Sequence, residues 1–319
     1  MKVRVVGAGI VGLTCALRLR EAGHEVALVA ADRPENTTSS VAAALWYPYR
    51  ALPEQAVTRW AAHTYDVLKG MLDSPDTGVR LRTGRELFRR PTEDPWWAGA
   101  VPTLERVPPA GLPTGYADGL AFPAPVVDMK AHLAWLLNRL HALDVDITWG
   151  MIRHLDHARA DVDAVVNCTG LGARELVHDR TLTPVRGQVV IVEQTGLDEW
   201  TLDQSDPRQL TYIVPRTDTI VLGGTAEERD EDDAVRPATA SAIVQRCSAL
   251  VPQVAGARIL GHRVGLRPAR PAVRLEAEEH GDRGLVVHCY GHGGAGVTLS
   301  YGCAADVVRL VSEHASNGR

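Results

Sequence analysis

The sequence is poor in the features that would take a protein to a membrane, to nucleic acid or into an oxidising compartment. No uninterrupted apolar run reaches the roughly eighteen residues a spanning helix needs. Its 34 Lys and Arg are outnumbered by 39 Asp and Glu, for a formal net charge of -5, and no basic stripe is visible. That argues against a nucleic-acid partner. The five cysteines (Cys15, Cys168, Cys247, Cys289 and Cys303) are odd in number, widely spread and without a C-x-x-C pair. Such usage suits a reducing cytoplasm, where buried thiols act as small hydrophobes. Met1 leads straight into a strand-like run, which leaves no signal peptide, and Ser316-Asn317-Gly318-Arg319 is not a peroxisomal address. The expected location is cytoplasmic. At 319 residues the chain predicts about two domains with a substantial buried core.

Two glycine-rich turns stand out, one at each end. The first reads Gly7-Ala8-Gly9-Ile10-Val11-Gly12, after the strand-like Lys2 to Val6 and before a helical run from Leu13 to Ala22. Gly23 ends that helix, and Glu25 to Ala30 closes a βαβ unit of about thirty residues, the context the dinucleotide fingerprint requires. Gly7 permits the tight turn, Gly9 lets a pyrophosphate approach, and Gly12 lets helix and strand pack. The acidic residue expected for the ribose comes late. Ala30 and Ala31 intervene, and the task falls to Asp32. NAD and FAD are not separated by this motif. The second turn, Gly291-His292-Gly293-Gly294-Ala295-Gly296, follows an apolar run from Leu285 and leads into a helical period through Leu310. Each turn can press backbone amides against a ligand at the positive end of a helix. Together they suit one elongated ligand gripped from both sides. His288 and His292 superficially resemble a metal pair, but they flank a glycine turn instead of sharing a helix face, and no metal is expected.

Between the turns the character changes. Residues 33 to 48, rich in Thr, Ser, Ala and aromatics, read as a loop passing under a ligand. Helices are expected at Glu54 to Met71, Met129 to Leu143 and Ala238 to Leu250. Region 75 to 126 reads as a meandering antiparallel sheet, with a strand at Val79 to Thr83. Further strands are expected at Asp163 to Asn167, Gln188 to Glu193, Thr211 to Pro215 and Thr219 to Gly224. The fold class is therefore α/β: a discontinuous Rossmann-like cofactor domain at 1–50, 128–185 and 256–319, which the resemblance below makes FAD-binding. Segments 51–127 and 186–255 insert a mixed, largely antiparallel substrate domain.

One family joins these pieces. Val286-Val287-His288-Cys289-Tyr290-Gly291-His292-Gly293-Gly294-Ala295-Gly296, with Gly302 and Ala304 downstream, resembles the signature of the D-amino-acid oxidases. The run Ala42 to Tyr49 agrees, as do Val166-Asn167-Cys168-Thr169-Gly170, Arg186-Gly187-Gln188, Tyr212 to Pro215 and Gly265 to Pro271. The resemblance covers essentially the whole chain and implies FAD as cofactor. It implies that Arg267 clamps the substrate carboxylate, as a guanidinium does with two parallel charge-assisted bonds. The hydroxyl of Tyr212 joins it, the carbonyl of Gly294 meets the amine, and Leu45 and Tyr47 lie near flavin and substrate. Tyr47 departs from the polar amide often found there. The flavin end is expected at Ala43, Ala44, Leu45, Gly265, Arg267 and the stretch Gly293, Gly294, Ala295, Gly296, Val297 and Thr298. Thr298 is expected at the pyrimidine edge. The adenine end is expected at Asp32, Arg33, Thr37, Thr38, Ser39 and the backbone of Ile152, with Thr169 and Gly170 near the pyrophosphate or ribose.

In that reading no side chain is a general base. The amine loses its proton and the Cα hydride passes to the flavin, with positioning and electrostatics supplying the catalysis. Dioxygen accepts the electrons as hydrogen peroxide, and the imino acid hydrolyses to a 2-oxo acid and ammonia. Fixing carboxylate, amine and hydride direction together makes the site strict for the D-enantiomer. The segment Asp203 to Leu210, where the family carries a lid, has no aromatic, and Arg208 there could serve acidic substrates. Yet Ala226-Glu227-Glu228 lacks the basic residue of acidic-substrate members, which favours neutral D-amino acids. The alternatives are a D-aspartate oxidase, a glycine or sarcosine-type oxidase, an NAD-dependent dehydrogenase and a non-catalytic FAD-binding protein. A homodimer is left open.

Overall fold

The structure is a computed structural model and describes residues 1–207, 209–281 and 284–317. Strand Lys2–Val6 alternates buried and outward residues, and helix Ile10–Glu21 carries it to strand Glu25–Ala30, paired in parallel from Lys2↔Glu25 to Val6↔Val29. The expected βαβ unit is thus formed. Strands Asp146–Trp149 and Ala164–Asn167 flank it in parallel, and Leu285–His292 extends the parallel set beyond Ala164–Asn167. All five strands put their carboxyl ends on the same side, where helix N-termini and ligands collect in open α/β sheets.

Among the described residues the same sheet, of 14 strands, continues into an antiparallel half. Strands Thr183–Glu193, Thr219–Gly223, Thr211–Pro215 and Trp200–Asp203 follow in antiparallel order. Val79–Phe88 joins parallel to Trp200–Asp203, and Asp118–Val127 pairs antiparallel with it, as the 75–126 region predicts. The halves are welded by strand Ile259–Glu279, which pairs with Thr183–Glu193 along its first part and with Leu285–His292 along its second. This long strand is not foreseen, because Pro268 and Pro271 argue against an interior strand. The chain accommodates them where the strand changes partners, at a register shift between Ala269 and Arg274.

Helix Gly296–Asn317 packs against Ile10–Glu21 and Glu54–Lys69. A Cβ on Gly302 would collide with the backbone of Trp60, and the Gly302 amide instead donates to Thr64 Oγ1 at 3.0 Å. Behind the loop 42–49 lies an aromatic cluster. Trp46 meets Tyr65 and Trp97 edge-on at 5.2 and 6.2 Å, and Phe122 bridges Trp97 to Trp200. Truncating such a buried ring costs about 3–5 kcal/mol, so this cluster fixes the floor on which the site stands. Among the described residues no helix is long and apolar enough to cross a membrane.

Candidate functional site

A cavity of about 1080 Å³ runs from the first glycine turn to the antiparallel sheet. Gly7, Ala8, Gly9, Ile10 and Val11 line one end, and the N-terminus of helix Ile10–Glu21 opens there with no side-chain cap on Gly9. A Cβ on Gly7 would stand 2.5 Å from the carbonyl oxygen of Cys168. Gly12 does not line the cavity. Its missing Cβ faces the carbonyl of Gly7, so it does the packing expected of the third glycine. The turn is braced from outside, since the Ile10 amide donates to Ser39 Oγ at 3.0 Å. Asp32, Thr37, Thr38, Ser39, Ile152, Thr169 and Gly170 all face this end, with Ala43, Ala44, Gly265, Gly296, Val297 and Thr298 further along.

At the other end Tyr212, Arg267, Gly294, Leu45 and Tyr47 converge. Leu45 is set by a bridge to Val126, which hangs the 44–46 segment on strand Asp118–Val127. Arg267 extends from the long strand over Gly187, where any Cβ would strike its guanidinium, and donates to the carbonyl of Thr225 at 2.9 Å. Tyr212 lies over Gly223 and Gly224. Burial raises its phenol above the usual range, against the pull of the neighbouring Arg267. Gly294, at φ 114°, leaves Arg267 Cδ and Tyr49 Cδ1 within 3.0 and 3.2 Å of where a side chain would begin. One guanidinium, one phenol and one glycine therefore share a half-enclosed space, and that trio is suited to hold a carboxylate beside an amine.

The whole chain tells the same story. Residues 2–310 match the family model described as FAD dependent oxidoreductase. A D-amino-acid oxidase of Rubrobacter xylanophilus is 50% identical over 96% of this chain and 94% of its own. One from Streptomyces coelicolor is 45% identical over 98% and 97%. A human D-aspartate oxidase is 35% identical over 98% and 95%. Among solved structures, glycine oxidase from Geobacillus kaustophilus superposes with a TM-score of 0.80 at 20% identity, over 98% of this chain and 94% of that one, which speaks for the fold alone. The chain belongs to the D-amino-acid oxidase family of FAD-dependent oxidoreductases. FAD is its cofactor, and the helix N-terminus opening on the cavity, the collisions a Cβ would cause at Gly7 and Gly12 and the long cavity fit that group.

Against the family's pattern, several expected contacts fall elsewhere. Arg33 turns away from the cavity, its guanidinium 5.0 Å over the ring of Trp149. Gly293 and Ala295 do not line it, and the Gly293 amide donates to the carbonyl of Pro268 at 3.0 Å. Thr298 lines the cavity, but its hydroxyl accepts from the Tyr47 amide and donates to the Tyr47 carbonyl, at 3.0 and 2.9 Å. It fastens the loop to the helix while lining the cavity. Arg208 lies outside the described residues. His288 and His292 do not pair: His288 stands 3.3 Å from Glu278 and from Asn167.

Other groups escape the sequence reading. Tyr49 and Gln204 line the cavity with Tyr212 and Arg267. In Leu45-Trp46-Tyr47-Pro48-Tyr49 the odd positions share one face, a period-two signal that would have found Tyr49. The Tyr47 hydroxyl donates to both oxygens of Glu86, at 2.8 and 2.9 Å, and Gln204 Nε2 to Glu86 Oε1 at 3.3 Å. Glu86 is buried, and burial raises its carboxyl to about 7 despite those two donors. Four of the five cysteines also meet. The sulfurs of Cys15, Cys168 and Cys289 lie within 4.8 Å of one another, as do the donor atoms of Cys289, Cys303 and His292. Bonds from Cys15, Cys168 and Cys303 hold the Cys289 thiol well below its usual range. Scattered spacing hid this cluster, because it forms only when two helices and two strands pack.

Proposed function

We propose that this protein oxidatively deaminates D-amino acids, neutral ones above acidic ones, to 2-oxo acids and ammonia, with dioxygen as final acceptor and hydrogen peroxide as by-product. The observation that carries this is the meeting of Arg267, Tyr212 and Gly294 at one end of the cavity whose other end is the dinucleotide turn. Bound in that cavity, FAD supplies the two-electron acceptor. Arg267 and Tyr212 hold the α-carboxylate, the guanidinium by charge-assisted bonds and the phenol by one more. The carbonyl of Gly294 accepts from the amine. With three points of the Cα fixed, only one enantiomer aims its hydrogen at the acceptor, and rate comes from positioning. The substrate loses a hydride and a proton, and water converts the imine to the 2-oxo acid and ammonia.

Neutral preference is supported by the wall itself, where Glu86 stands behind Tyr47 and Gln204 and its ionised form repels an anionic side chain. The division into cofactor and substrate domains follows the weld at Ile259–Glu279. Five unpaired, buried cysteines support a reducing, cytoplasmic location. The test is turnover of D-alanine, D-methionine and D-aspartate with their L-forms, followed by both peroxide and ammonia. Equal release of the two from neutral D-forms alone is expected. Turnover of L-forms would contradict the assignment of Gly294, and D-aspartate alone would give the site to acidic substrates.

A further inference from the structure

Glu86, Leu202 and Tyr212 sit in one row across three neighbouring strands, Glu86 opposite Leu202 and Leu202 opposite Tyr212. Residues paired in a row share a face, and Leu202 and Tyr212 both line the cavity, so Glu86 rises from the cavity side of the sheet. Two strand spacings, about 10 Å, separate it from the Tyr212 position. A substrate whose carboxylate is held by Tyr212 and Arg267 can point its side chain along this row. The four-carbon stem of a lysine-type chain covers much of that span.

The charges around Glu86 are one-sided. Tyr47 and Gln204 face it from the cavity, and Asp203 stands beside it on strand Trp200–Asp203. Asp203 has its own partners, Tyr116 Oη at 2.6 Å and Arg89 at 3.4 Å. On its own strand Arg85 alternates to the other face and donates to the carbonyl of Gly111. Among the described residues Glu86 has hydrogen-bond donors but no cationic partner. A buried carboxylate left unpaired is costly, and a ligand that brings a cation relieves it. Gln204, bound through its amide nitrogen, keeps its carbonyl oxygen as a further acceptor for such a group.

We infer that Glu86, reached through Tyr47 and Gln204, makes the side-chain end of the cavity selective for D-amino acids with a cationic side chain and against anionic ones. This rests on the oxidase reading above and names the substrate class within it. Burial places the Glu86 carboxyl at about 7, so its charge switches within an ordinary working range. A lysine ammonium stays charged throughout that range, and the α-amine and α-carboxylate are common to any D-amino acid. D-lysine and D-norleucine differ only in the terminal ammonium, so the ratio of their kcat/KM values isolates the side-chain end.

The experiment measures that ratio on the FAD-loaded enzyme between pH 6 and 8.5, in the wild type and in Glu86→Gln. In the wild type the ratio is expected to rise about tenfold, following the ionised fraction of a carboxyl near pH 7. In Glu86→Gln it is expected to stay flat. Should that variant fail to fold, the wild type still decides, because the ratio of D-glutamate to D-glutamine is expected to fall over the same range. A wild-type ratio flat in both pairs, with D-norleucine turned over, overturns the subsite and leaves the oxidase reading standing. A rise that survives Glu86→Gln assigns the charge to another group and also overturns it. D-Norleucine untouched at every pH, with the flavin still oxidised, sinks both readings together.

Discussion

The two glycine turns look alike in sequence and serve different ends. After strand Lys2–Val6 backbone packs on backbone, Gly12 against the carbonyl of Gly7 and Gly7 against that of Cys168. After strand Leu285–His292 the space spared by Gly294 goes to side chains, Arg267 and Tyr49. The first turn makes a rigid cradle for a cofactor. The second makes room for the groups proposed to hold a substrate. Each half also buries an ionisable group, with pKa shifts of opposite sign. His132, in helix Met129–Ala142 beside the cofactor half, is held neutral, its proton affinity lowered to about 4 by burial. Glu86, in the antiparallel half, keeps its proton up to about 7. Burial therefore favours the neutral form of both groups, which for His132 means losing a proton and for Glu86 keeping one.

Breaking each turn should separate the two roles. Gly12→Ala forces the backbone of the dinucleotide turn apart, and the expected outcome is loss of stable FAD retention, read by the flavin absorbance of the purified protein. Arg267→Ala should keep FAD but lose roughly 10²–10⁴ in kcat/KM, the cost of about 3–5 kcal/mol for truncating one partner of a buried charge pair. If Arg267→Ala lost its flavin and Gly12→Ala kept it, the contrast between the turns would be reversed.

The next effect is on stability against pH, with opposite signs in the two halves. For His132 the folded value lies below the unfolded one of 6.5, so its contribution is complete above pH 6.5 and drains away as pH falls toward 4, by about 3 kcal/mol. For Glu86 the folded value lies above 4.5, so its contribution is complete below pH 4.5 and is lost as pH rises toward 7, by a similar amount. Glu86→Gln should therefore melt on the order of 5 °C higher than wild type above pH 7 compared with pH 4.5, measured with FAD saturating. A constant difference across pH would remove the charge from Glu86. The smallest effect is expected for Tyr212→Phe, about 10–100-fold in kcat/KM for one hydrogen bond to a carboxylate. An effect as large as that of Arg267→Ala would make Tyr212 an equal partner in the clamp.

The βαβ unit and the antiparallel 75–126 region were legible, because each depends on local periodicity or on a motif whose glycines have a steric reason, whereas the roles of Arg267, Tyr212 and Gly294 came only from the family resemblance. The long strand was not, since Pro268 and Pro271 speak against it until a change of pairing partner accommodates them. Arg33 was placed by resemblance, yet its guanidinium lies over Trp149. Glu86 and the thiol cluster around Cys289 depend on contacts between distant segments, which no spacing encodes.

The most direct test is the visible spectrum of the FAD-loaded protein under anaerobic conditions, before and after a neutral D-amino acid and then its L-enantiomer. Bleaching of the flavin band by the D-form alone is the predicted result. A flavin that stays oxidised with every D-amino acid offered, while still bound, would contradict the central claim.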